Sequence, residues 1–256
     1  QKNEHVVLEP GVGFTLVKKL LKLNSKKTPI DVILLSRNSA DTGLRIFNSI
    51  EHYDLNISRA AFTRGESTHP FVGAFEADLF LSSNYNDVQK ALQSGYAAAS
   101  IVESKSNNSH PSQLRIAFDG DAVIFSDEAE RIFQEKGLEA FHENEILSEK
   151  IELKAGPFKS FLVSLQKIQS TFPEENNPIR TALVTARSAP SHRRVIHTMR
   201  EWGIRIDESF FLGGLEKGVF LKQFAADIFF DDQQQHCKSA SQYVPTGHVP
   251  SGIKNS

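Results

Sequence analysis

Short apolar runs alternate along this chain with segments of helical period, and that alternation leaves few folds open to it. "DVILLS", "AAFT", "ADLFLS", "AAASIV", "LRIAF", "TALVT", "SFFL", "DIFF" and a weaker run near "GHV" follow one another with amphipathic stretches between them. Strand and helix in strict alternation imply parallel strands with helices packed on the sheet faces. The predicted class is α/β, and 256 residues suffice to bury a core as one large domain or two small ones.

A second regularity is internal. Residues 32–93 lie without a gap over 181–242, a shift of 149. Leu34 then falls on Leu183, Arg45 on Arg194, Phe62 on Phe211, Gly65 on Gly214, Phe75 on Phe224, and Ala77-Asp78 on Ala226-Asp227. Ile46, Phe47, Ile50 and Tyr53 lie over Val195, Ile196, Met199 and Trp202, the same helical stripe in both segments. A common architecture is expected. The charges are not common: Asp231-Asp232 stand over Ser82-Ser83, Lys217 over Thr68 and Thr185 over Ser36. The polar, aperiodic stretch "ESKSNNSHPSQ" reads as a linker at 106–113. It would separate an N-terminal α/β lobe, 1–105, from a second domain, 114–256.

Charge balance excludes some partners. With 29 basic against 31 acidic side chains, a net charge of −2 gives no broad attraction to nucleic acid or an anionic membrane. The single Cys237 rules out an internal disulfide and a zinc cluster of the Cys-x-x-Cys type. No apolar run approaches the ~20 residues that span a bilayer, and "QKNEHVVLEPGVGFTL" lacks the basic start and apolar stretch of a leader. A cytoplasmic location is expected.

The chemistry concentrates at strand ends. "RIAFDGDAVIFSDEAE" places Asp119 and Asp121 where an apolar run stops; "TALVTARS" ends a strand at Thr185; "GGLEKGVFLK" offers Lys217 ahead of Lys222; "ADIFFDD" ends at Asp231 and Asp232. Strand ends of one polarity share an edge of a parallel sheet, and ligands bind in the crevice there. Acids gathered at one edge repel one another unless a cation sits among them, and Mg²⁺ prefers such oxygen ligands while keeping sites open for phosphate. One carboxylate can attack phosphorus, and Asp121, beyond the strand end, can curl back to handle protons. Thr185 can donate to a phosphoryl oxygen and Lys217 can neutralise charge. These residues support metal-assisted phosphoryl transfer. His192, His197 and His236 read as ordinary histidines, since Mg²⁺ does not favour imidazole.

Asp119-x-Asp121-x-Val123, then Thr185, Lys217 and Asp231-Asp232, resembles the motif order of the haloacid dehalogenase superfamily. "QLRIAFDGDAVIFSDEAERI", "GPFKSFLVSLQKIQ", "PIRTALVTARSAPS", "ADIFFDDQ" and "LRIFNSIEHYDL" are similar to the cytosolic 5′-nucleotidase family of type I, a likeness covering most of 30–250. The resemblance implies a Rossmann-like catalytic domain and Mg²⁺-dependent hydrolysis of AMP-like nucleoside 5′-monophosphates through an aspartyl-phosphate. Asp119, Asp121, Thr185 and Lys217 would be catalytic, with Asp119, Asp121, Asp231 and Asp232 at the metal. Gly120, Thr185, Ala186 and Arg187 would meet the substrate, Arg187 at phosphate or ribose.

The insert after the first motif, 127–156, is short, and the resemblance makes it a small helical cap. The N-terminal lobe then becomes a candidate for the missing wall, with Arg64 of "FTRGESTH" holding the nucleoside. Two other classes fit the same residues: a phosphatase of sugar phosphates or other small phosphomonoesters, and a nucleotide-binding regulator without turnover. Base preference, a nucleotide effector and the oligomeric state stay open in the sequence.

Overall fold

The computed structural model describes residues 4–104 and 110–255. Two compact units divide between Ala77 and Asp78. In the first, α1 (Phe14–Leu23) precedes β1 (Ile33–Ser36), α2 (Ala40–His52), β2 (Arg59–Phe62) and α3 (Pro70–Ala74), and β1 pairs with β2 in parallel. The second contains β3 (Phe80–Ser82), α4 (Tyr85–Gln93), β4 (Ala98–Val102), β5 (Leu114–Phe118), α5 (Glu128–Leu147) and α6 (Lys159–Gln169). It continues through β6 (Ile179–Thr185), α7 (His192–Glu201), β7 (Glu208–Phe211), α8 (Lys217–Phe224), β8 (Ile228–Asp231), α9 (Gln234–Ala240) and β9 (Thr246–His248).

Seven strands of the second unit form one sheet in the order β3-β4-β9-β8-β5-β6-β7. All neighbours run parallel except β4 and β9. This is the mixed α/β architecture that the alternation predicts. β3 and β4 hydrogen-bond into this sheet, so the division falls ahead of the expected linker, which lies in part outside the described residues. Among the described residues no helix is long and apolar enough to cross a membrane.

The period-2 alternation of the strands builds two cores. Ala117 and Phe229 face Leu221, Phe224, Ala240 and Val244 of the α8–α9 side. Phe118 and Phe230 stack at 5.7 Å on the opposite face, where Phe158 lies 4.8 Å from Phe230. By the same alternation Asp119 and Asp231 follow Ala117 and Phe229 onto the α8–α9 side.

The two similar segments match in backbone detail. Ile33 pairs with Arg59 and Ser36 with Phe62; Ala182 pairs with Glu208 and Thr185 with Phe211. Every one of these pairs is displaced by the same 149. Left-handed φ values at Asp54, Arg64, Gly65 and Glu76 recur at Gly203, Gly213, Gly214 and Ala225. Ahead of β1 the match resumes at a shift of 145. Leu8 N–H donates to Ser49 Oγ at 3.0 Å, and Leu153 N–H to Thr198 Oγ1 at 2.9 Å. After β3 the shift is 148, for Phe80 pairs with Ala98 and Phe229 with Thr246. In the antiparallel β4·β9 pair, Ser100 consequently faces His248, its own counterpart. Among the described residues no strand stands to β1 and β3 as β5 stands to β6 and β8.

Candidate active site

Asp119 sits at the end of β5 in the centre of the sheet, its N–H donating to Phe230 O at 2.8 Å. The chain then turns sharply: Ile124 and Phe125 N–H both donate to Gly120 O, and Ala122 takes a left-handed φ of 59°. A Cβ on Gly120 would come within 3.2 Å of Thr185 Oγ1, so a larger residue would press on the end of β6. The following insert leaves and returns through adjacent bonds, Ser126 N–H to Lys154 O and Gly156 N–H to Ile124 O, each 2.8 Å. Gly156 permits that closure, since a Cβ there would lie 2.4 Å from Phe125 O. Between these points α5 breaks at Gly137, whose φ is 83°, into two helical arms.

The charged residues of the distant motifs meet here. Lys217, the first residue of α8, places Nζ 2.8 Å from Asp119 Oδ1 and 2.6 Å from Asp231 Oδ2. Asp119, Asp231 and Asp232 each offer an oxygen within 4.8 Å of the others. All three are buried, and Thr185 and Lys217 are buried beside them. Asp231 Oδ1 accepts from Gln233 N–H at 2.8 Å, and His236 Nδ1 lies 3.4 Å from Oδ2. Asp232 differs: both its carboxylate oxygens are buried with no hydrogen-bond partner among the described residues, at 1% exposure of the residue. Its backbone carbonyl accepts from His248 Nε2 and Asn255 Nδ2. A buried carboxylate left without donors is costly unless a cation completes it.

The acids respond to that crowding. Burial, with Asp119 and Asp231 adding repulsion, pushes the Asp232 carboxyl up to about 10. Burial also raises Asp119, to about 7, against the pull of Lys217. Burial acts upward on Asp231 too, but Lys217 and His236 bring it down to about 2. Three acids share one ammonium, and the shortfall of positive charge is what a divalent ion would fill.

The remaining expected residues divide. Ala186 and Lys217 line a cleft of about 200 Å³ with Gly214 and His236. Asp121 engages Arg187 through both carboxylate oxygens. Arg64 lies in the first unit, in the turn after β2, where its N–H donates to Asn38 O at 3.1 Å. The motif reading leaves out Glu145, Arg194 and His236. For Arg194 a signal exists, since it aligns with Arg45 in the repeat; Glu145 stands in an insert with no pattern to mark it.

Comparison with known proteins shows the family. The sequence model of a family described as 5′-nucleotidase matches residues 1–256. Human cytosolic 5′-nucleotidase 1B is 39% identical over 254 residues, covering 94% of this chain and 42% of that protein. The chain thus spans less than half the length of this relative. No solved structure matches it.

Proposed function

The chain belongs to the 5′-nucleotidase family, and from that premise we propose that it hydrolyses nucleoside 5′-monophosphates of the AMP type to nucleoside and phosphate. The observation that carries the reading is Asp232, buried and without donors beside Asp119, Asp231 and Lys217. This oxygen set suits Mg²⁺, which Asp119, Asp231, Asp232 and the Asp121 backbone carbonyl would hold. When bound, the ion neutralises the acids and the incoming phosphate.

The chain's own groups divide the work in the manner of haloacid dehalogenase phosphohydrolases. The Asp119 carboxylate attacks phosphorus while the bond to the ribose 5′ oxygen breaks, and Asp121 gives that oxygen a proton. The phosphoryl group then rests on Asp119. Asp121, now ionised, takes a proton from water as the water attacks phosphorus, and phosphate leaves with Asp119 restored. Lys217 stays fully charged, because Asp119 and Asp231 raise its proton affinity more than burial lowers it. It offsets charge on nucleophile and phosphate, while Thr185 and the backbone N–H groups of Gly120 and Ala186 donate to phosphoryl oxygens. The two-armed α5 serves as a small cap. The N-terminal segment is a copy of the catalytic scaffold without its charges, and the protein works in the cytoplasm.

Phosphate release from the common nucleoside monophosphates, with Mg²⁺ and with EDTA, tests the reading. Mg²⁺-dependent turnover of nucleotides above phosphosugars supports it. A preference for phosphosugars would make the protein a phosphatase of other small esters, and nucleotide binding without release of phosphate would make it a regulator.

A further inference from the structure

The motif pattern directs Arg187 at phosphate or ribose, yet its guanidinium has other partners. Nε donates to Asp121 Oδ2 at 2.8 Å and Nη2 to Asp121 Oδ1 at 2.7 Å. The third contact, from Nη1, goes to Glu145 Oε2, and Arg194 Nη1 reaches the other Glu145 oxygen at 2.8 Å. Arg194 is itself tied down by its Nε, which donates to Ile151 O at 2.8 Å. Side-chain exposure is 3% for Arg187 and 0% for Glu145. Acid and guanidinium alternate along this chain of contacts, so no buried charge in it faces its own kind alone.

We propose that Arg187 and Glu145 are positioning residues for Asp121, a role that rests on reading Asp121 as the proton-handling group. Asp121 lies beyond the strand, in a turn that does not by itself orient its carboxylate. A planar fork holding both oxygens does so, and a lysine ammonium cannot reproduce that grip. Arg194 already ties the insert down through Glu145 and Ile151 O. Arg187 adds one bond to Glu145, but its other two go to Asp121 and fix the carboxylate that handles the proton. Glu145 and Phe141, whose ring lies 5.6 Å from the Arg187 guanidinium, both belong to the α5 arm beyond Gly137. The arm that bears Glu145 therefore also sets the direction of the Asp121 carboxylate.

The test compares two leaving groups. The ribose 5′ oxygen must receive a proton as it departs, whereas p-nitrophenolate leaves without one. Turnover of AMP and of p-nitrophenyl phosphate is measured for the wild type, Arg187→Lys and Glu145→Gln, with melting temperatures on the same samples. In Arg187→Lys, kcat/KM for AMP, which ends with phosphoryl transfer to Asp119, falls about tenfold or more, within the range of a displaced general acid, while kcat/KM for the aryl ester stays within about twofold. Glu145→Gln moves the same way by about threefold, as an indirect support should, and carries the test if the Arg187 variant does not fold. Equal losses of kcat/KM on both esters, or no loss on either, overturn the inference while leaving the proposed function standing. A wild type that releases phosphate from neither ester sinks the proposed function, and this inference with it.

Discussion

Ser36 and Thr185 occupy counterpart strand ends, and each hydroxyl accepts the N–H two residues on, from Asn38 and from Arg187, both at 3.2 Å. Ser82 and Asp231 repeat the pattern, accepting from Asn84 at 3.0 Å and Gln233 at 2.8 Å. In both pairs the local task, satisfying a backbone N–H where the strand turns, needs only an oxygen. Asp231 has a second oxygen, and it reaches Lys217; where Lys217 would stand, the first segment has Thr68. Comparing the segments separates what the backbone requires from what the proposed site adds: an acceptor serves the strand end in both, and the charge stands in the second alone.

The sharpest way to break this comparison is at the residue without any counterpart. Asp119→Asn removes the proposed nucleophile, and phosphate release should fall roughly 10⁴-fold or more with the fold retained; appreciable turnover in that variant would refute the assignment. Next, Asp231→Ser makes the second segment read like the first. Activity should drop roughly a hundredfold or more while circular dichroism stays native, because the serine still accepts from Gln233. Asp231→Val removes that acceptor as well and should cost about 1–3 kcal/mol of further stability in denaturant titrations.

The acid cluster, which the first segment lacks, gives a pH signature. A carboxyl near 10 in the fold and near 4 in the unfolded chain keeps its proton longer when folded. Its contribution is complete below about pH 4 and lost as pH rises toward 10. In EDTA the melting temperature should therefore fall between pH 6 and 9. Mg²⁺ displaces the proton, so the rise in melting temperature on adding Mg²⁺ should grow across that range, and Asp232→Asn should abolish most of it. A Mg²⁺ effect independent of pH would count against Asp232 as a ligand. The smallest effect is expected at Arg64, whose counterpart is Gly213. If it holds the nucleoside, Arg64→Ala raises KM for all nucleotides about fivefold, the equivalent of about 1 kcal/mol; unchanged KM values remove that role.

Much of this was legible in the residues because strand alternation and the four motifs are short local patterns. "LRIAF", "TALVT" and "DIFF" lie in the central strands of the sheet, and the acids at their ends converge as strand polarity requires. What escaped is long-range. Nothing in "AAASIV" says that β4 will pair antiparallel with β9, so the division at Ala77 and Asp78 is invisible to composition. Glu145 sits among several acids of one helix, and only the fold shows which of them faces two arginines.

One pairing reaches further than its three residues suggest. Strands that each face their own counterpart, as Ser100 faces His248, adopt the geometry that identical subunits make across a twofold axis. Here both strands are covalently joined, so the contact survives any dilution and gives up no translational freedom on forming. An interface of the kind dimers must assemble is, in this protein, part of the fold itself.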